Sequence, residues 1–224
     1  MSDILNTKGI SYIAVEGVIG AGKSSLARKL AETISARLIL ENFEDNPFLN
    51  KFYKNPQEYA FRTQMFFLLE RYQQLQQLHQ KDMFEPYTVS DYIFEKDKIF
   101  AYLNLNDDEL KIYELVVQAL DRSVVSPDLV IYLQTSVVRL MSNIRNRDRE
   151  IERDISETYI DNLNEAYNYF FSRYKAAKVI IVNSEEADFI NSRADFDNLL
   201  NEIFKSDSGA VKYYNPSLRK TAEQ

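Results

Sequence analysis

Three of the five glycines in this 224-residue chain stand within six positions, in Gly17-Val18-Ile19-Gly20-Ala21-Gly22-Lys23-Ser24. The run fits G-x-x-x-x-G-K-[ST], a loop whose backbone N–H groups turn inward around a polyphosphate. Glycine is required because such a loop passes through positive φ and lets a ligand come close to the backbone. Lys23 sets a cation against the β- and γ-phosphates, and the Ser24 hydroxyl is a ligand for Mg²⁺. The binding surface runs from Gly17 to Ser25, and the helix that follows adds its positive N-terminal end. Both flanks agree. Tyr12 to Glu16 is a short apolar run with β-branched residues, as in a buried parallel strand, and Leu26, Leu30 and Ile34 recur every fourth position as a helix stripe. Strand, loop and helix in this order imply a nucleoside triphosphate site.

Composition narrows the class. A net charge of −7 argues against a nucleic-acid scaffold, which needs lysine and arginine to neutralise phosphates. With no cysteine there are no disulfides and no thiolate metal sites, which fits a cytoplasmic protein. Met1 to Gly9 is polar, without the apolar core of a signal peptide, and no run approaches the ~18 apolar residues of a membrane span. The length suits one domain, here residues 1–205, followed by a polar tail over 206–224 that is expected outside the core. Most of the 15 tyrosines and 14 phenylalanines are expected to pack, and His79, in a polar stretch, to lie on the surface.

Apolar runs alternate with helical patterns along the chain, the signature of an α/β fold with a parallel sheet. Five strands are expected: Tyr12 to Glu16, Arg37 to Glu41, Tyr87 to Asp91, Asp128 to Leu133 and Lys178 to Val182. Between them, helices are expected in Asn46 to Gln80 with a break at Pro56, Ile93 to Leu103, Asp107 to Leu120, from Val137 onward, Ser156 to Lys175 and Arg193 to Phe204. The whole reads as a P-loop NTPase domain of five parallel strands flanked by helices.

Regulatory GTPases read guanine through N-K-x-D, but the only Asn-Lys pair, Asn50-Lys51, continues as Phe52-Tyr53. Transport ATPases and helicases end an apolar strand in adjacent acids, whereas the fourth strand here ends in Gln134-Thr135. A small-molecule phosphotransferase remains, and it needs a proton acceptor, an arginine-bearing lid and an acceptor pocket. Parallel strands present their C-terminal ends at the ligand crevice, so Glu41 is the candidate base and Asp91 the candidate Mg²⁺ or magnesium-water contact. Arg147 and Arg149, in the charged run after the fourth-strand helix, are the candidate lid cations.

With these residues in view the chain resembles the deoxynucleoside kinase family, in particular its bacterial deoxyguanosine/deoxyadenosine kinase branch. The resemblance runs from Ile13 to Phe204 and rests on Gly17–Ser24, Glu41-x-x-x-Asp45-Asn46-Pro47, Tyr53, Gln64, Arg71, Ser90-Asp91-Tyr92, Ile99-Phe100-Ala101 and Arg147-x-Arg149. It implies that ATP and Mg²⁺ occupy the loop and that Glu41 takes the proton of a deoxynucleoside 5′-hydroxyl. It further implies that Gln64 pairs with the base edge, Phe100 stacks on the base, and Tyr53 with Glu152 grips the sugar 3′-hydroxyl. Arg71 then positions the base and Glu41. Homodimers are implied, through helices flanking the pocket. Three departures stand out. Asp91 is one position from the usual acid and the arginine beside it is lost. Lys96 stands where relatives often carry a base-contacting aspartate. An early lid arginine is Asn143, with Arg145 as the candidate substitute. The Asp-Tyr form points to purine deoxynucleosides. A nucleoside monophosphate kinase of the thymidylate type and a non-catalytic nucleotide switch are the rival readings.

Overall fold

A computed structural model describes residues 9–79, 86–120, 124–205 and 209–216. Its centre is a parallel sheet of β1 (Tyr12–Gly17), β2 (Arg37–Ile39), β3 (Thr88–Ser90), β4 (Leu129–Gln134), β5 (Lys178–Asn183) and β6 (Val211–Tyr214), in the order β2-β3-β1-β4-β5-β6. Ile13 lies opposite Val89 on β3 and Leu129 on β4, so the phosphate-loop strand sits in the interior of the sheet. Every residue of β1 is buried, which explains its apolar reading up to Glu16.

Eight helices accompany the sheet among the described residues: α1 (Lys23–Ile34), α2 (Leu49–Lys54), α3 (Pro56–Gln76), α4 (Lys96–Asn104), α5 (Asp107–Leu120), α6 (Val137–Arg147), α7 (Glu157–Phe171) and α8 (Arg193–Phe204). One sheet face is covered by α1 and α8, with Leu26, Leu30 and Ile34 packed on Ile13, Val15 and Ile131 beside Phe196 and Leu199. The other carries α3 to α7 on Tyr12, Ala14, Val130 and Tyr132. There Tyr132 stacks on Phe171 at 4.4 Å, and Tyr167 stacks on Tyr132 at 6.2 Å. Pro56 opens α3 at its first position, where a missing N–H costs nothing. Ser156 caps α7 by accepting from the Tyr159 N–H at 3.1 Å.

Three expectations are corrected. The sheet has six strands, not five: β6 lies within the stretch read as tail, pairing Val179 with Val211 and Val182 with Tyr214. Val-Lys-Tyr-Tyr is a good strand sequence, but its edge position buries only Tyr214, and its lysine pairs with Glu202 at 2.9 Å, so it carries little apolar signal. The remainder of that tail, 206–208 and 217–224, falls outside the described residues. Second, β2 and β3 stop at Ile39 and Ser90, leaving Glu41 and Asp91 just beyond the strand ends. Third, α4 begins at Lys96 rather than Ile93, and Ile93 lies in the turn before it, its N–H donating to the Glu16 carboxylate at 2.8 Å.

Candidate active site

The loop after β1 is shaped by contacts that side chains would spoil. Gly20 has φ +91°, and a Cβ there would lie 2.7 Å from the Leu140 carbonyl of α6. A Cβ on Gly17 would meet the Leu133 carbonyl at 2.8 Å. Thus the loop is pressed onto β4 and α6, and the Asn143 side chain on α6 donates to the Gly20 carbonyl at 2.8 Å. Lys23 donates to the Val18 carbonyl at 3.1 Å and so arches over the loop. Burial, and then the nearby Lys96 charge, pull its ammonium down to about 8.

Beyond the strand ends the carboxylates meet these cations. One oxygen of Asp91 accepts a hydrogen bond from Ser24 Oγ, and the other accepts the Glu41 backbone N–H at 2.8 Å. Asp91 therefore ties the phosphate loop to the segment carrying Glu41. Glu41 Oε1 lies 2.6 Å from the Arg71 guanidinium of α3, and Oε2 is 2.8 Å from Lys96 Nζ. Burial alone would raise the Glu41 carboxyl, but Arg71 and then Lys96 outweigh it and hold the group at about 2. Arg71 also pairs with Asp97, whose backbone carbonyl accepts from Gln64 Nε2 at 2.9 Å.

One cavity gathers these groups. Lys23, Ser24, Glu41, Asp91 and Lys96 line one part of it, with Ile19 and Gly20. Tyr53, Gln64, Arg71 and Phe100 contribute to the same wall, and Phe100 meets Tyr167 edge-on at 6.1 Å. Arg147, Arg149 and Glu152 from the end of α6 and the following turn complete it. Arg147 forms a two-pronged pair with Glu152 at 2.6 Å, and Arg149 lies 4.5 Å over the Phe43 ring. A second cavity contains Ala21 and Gly22, together with Thr135, Arg139 and Asn143. Gly17, Val18 and Ser25 line neither cavity; Val18 is buried in the core beneath the loop.

Several residues escape a sequence reading. Glu16 is wholly buried and accepts from the N–H groups of Gly17 and Ile93. Its place as a charged residue in an apolar strand, directly before the loop, is the one signal it gives. Lys96 is 2 % exposed and turned to Glu41, and its neighbour Asp97 is the second acid that meets Arg71. Arg145 is exposed and lines neither of these cavities, while Asn143 lines the second. No cluster of three or more metal-ligating side chains occurs among the described residues. Ser24 and Asp91 nonetheless offer adjacent hard oxygens, which suits Mg²⁺, an ion that takes few protein ligands beside phosphate and water.

A family model described as deoxynucleoside kinase matches residues 13–206. The chain belongs to the deoxynucleoside kinase family. It is 34% identical over 194 residues to the deoxyguanosine kinase of Bacillus subtilis, covering 84% of this chain and 93% of that protein. The deoxyadenosine/deoxycytidine kinase of the same organism is 29% identical, with coverage of 86% and 91%. A structure of deoxyadenosine kinase from M. mycoides with bound dATP superposes with a TM-score of 0.73 at 25% identity, covering 87% of this chain and all of that one. As a deoxynucleoside kinase the chain is an enzyme whose acceptor is a deoxynucleoside.

Proposed function

We propose that this kinase transfers the γ-phosphoryl group of ATP to the 5′-hydroxyl of a purine deoxynucleoside, with Glu41 as base. The observation that carries this reading is the Asp91 bridge, which fixes the Glu41 backbone against the Ser24 hydroxyl of the phosphate loop. Glu41 accepts the 5′-hydroxyl hydrogen bond and takes its proton as the O5′–Pγ bond forms. The bond from Pγ to the bridging oxygen breaks, and ADP departs with the electron pair. Lys23, Arg147 and Arg149 offset charge on the moving group. Mg²⁺, when bound by Ser24 and Asp91, would neutralise phosphate charge. Gln64 carries both a donor and an acceptor for the base edge, Phe100 supplies a stacking face, and Tyr53 with Glu152 holds the 3′-hydroxyl. The Asp91-Tyr92 form and relatives named as deoxyguanosine and deoxyadenosine kinases support a purine.

A nucleoside monophosphate acceptor fits less well. Its phosphate would approach the Glu41 carboxylate, while Arg71 is shared between Glu41 and Asp97 and Arg62 is exposed over the Tyr59 ring. We place the enzyme in the cytoplasm as a homodimer; no described helix is long and apolar enough to cross a membrane. The test is a panel of ribo- and deoxynucleosides and their monophosphates with ATP and magnesium. Turnover is expected with purine deoxynucleosides and not with monophosphates. Glu41→Gln should bind nucleoside but lose about 10²–10⁴ in kcat; parental turnover by that variant removes Glu41 from its role.

A further inference from the structure

Lys96 is a buried ammonium with capacity to spare. Its side chain is 3% exposed, yet of its three N–H donors one reaches a protein acceptor among the described residues, Glu41 Oε2 at 2.8 Å. The ring of Tyr92 lies 5.6 Å from the same nitrogen and accepts no second conventional hydrogen bond. A buried cation left with unmet donors is costly, and two such donors call for an acceptor. Neutralising Glu41 does not by itself account for Lys96, since Arg71 already contacts that carboxylate at 2.6 Å. The two cations differ, however. Arg71 divides its guanidinium between Glu41 and Asp97, whereas Lys96 donates to one carboxylate, Glu41, feels the buried Glu16 carboxylate only through space, and lines the cavity beside Lys23 and Ser24. Both ammonium groups line that one cavity, and the Lys96 charge pulls the Lys23 ammonium down.

Resting on the phosphotransfer reading above, we propose that Lys96 is a catalytic residue whose free N–H donors contact the 5′-oxygen and the transferring phosphoryl group. It acts as a second loop-side cation in addition to holding Glu41. Donors already in place where charge grows during transfer need no reorganisation, and removing one such donor typically lowers kcat by about 10²–10³-fold.

The full-length enzyme, Lys96→Met, Lys96→Arg, Glu41→Gln and the Glu41→Gln/Lys96→Met double variant form the test. Calorimetry measures nucleoside and ATP binding, and steady-state assays with ATP, magnesium and the best deoxynucleoside give kcat and KM. Lys96→Met is expected to lose at least 100-fold in kcat with nucleoside Kd within about threefold, and Lys96→Arg to recover part of the loss. The double variant decides between contact and positioning. If Lys96 touches the phosphoryl group, adding Lys96→Met to Glu41→Gln costs a further tenfold or more; if it acts only through Glu41, the further cost is nil and the proposal fails. A rise in KM at unchanged kcat also overturns it. Should Lys96→Met fail to fold, the double variant, which removes both buried charges together, still gives the comparison. A parent enzyme that turns over no nucleoside overturns the phosphotransfer reading instead, before Lys96 is in question.

Discussion

Glu16 shows how much of the site depends on a residue that touches no substrate. Its carboxylate accepts from Gly17 N–H at 3.1 Å, where the phosphate loop begins, and from Ile93 N–H, in the turn between Asp91 and Lys96. A single wholly buried side chain thereby sets the loop against the segment that orients Glu41. Glu16→Ala would leave two backbone N–H groups without acceptors, each costing about 1–3 kcal/mol. A fall of about 2–6 kcal/mol in unfolding free energy is expected from urea denaturation, together with weaker ATP binding. Glu41 answers to pH in a different way. Its carboxyl is held at about 2, below its ordinary 4.5, so it adds stability at neutral pH. That contribution is complete above about 4.5 and is lost as pH falls towards 2. Burial raises Glu16 and Asp97 instead, and they act with the opposite sign. The difference in stability between parent and Glu41→Gln should therefore shrink between pH 5 and 3, which denaturation at stepped pH reads directly.

At the scale of elements, α6 and the turn after it carry the functional load. Its N-terminus is fixed by Ser136 and by Glu185, which accepts from Ser136 N–H at 2.8 Å, and its middle is fixed to the loop by Asn143. The far end holds Arg147 against Glu152. Arg147→Met should lower kcat by about 10³-fold, as expected for loss of an arginine that offsets transfer charge, with a small effect on melting temperature because the pair is partly exposed. This element was legible in sequence as a helix from Val137 onward running into a stretch of clustered arginines. So were α1, α3 and the interior strands, where period and burial agree. The α4 start was not, because Ile93 and Phe94 are buried in a turn that a carboxylate from another strand holds open. Nor was β6, whose edge position leaves no apolar pattern to find. In the site the same division holds. Glu41, Asp91 and Lys23 follow from strand ends and a loop motif, while the Lys96 and Asp97 contacts depend on which way a helix start faces, and one residue of register exchanges them.

For the whole molecule, the remaining question is what covers the outer face of α4 and α5. Tyr102, Ile112 and Leu115 are 62%, 52% and 68% exposed, and Ile112 and Leu115 are three apart on one helix face. Clustered exposed apolar residues of this kind are usual at subunit interfaces. The inner face of α4 bears Lys96, Asp97 and Phe100, so a partner seated on the outer face would brace the site from behind without lending it a residue. The parent is accordingly expected at twice 26.2 kDa by light scattering, and Leu115→Glu, which sets a charge in the apolar contact, at 26.2 kDa. The monomeric variant should keep a measurable kcat, since Lys23, Glu41 and Arg147 line one cavity within this chain. Its melting temperature should fall and cease to depend on protein concentration, since association no longer stabilises the folded state. A parent that elutes as a monomer at every concentration, or a Leu115→Glu protein that stays dimeric, would place the interface elsewhere or remove it.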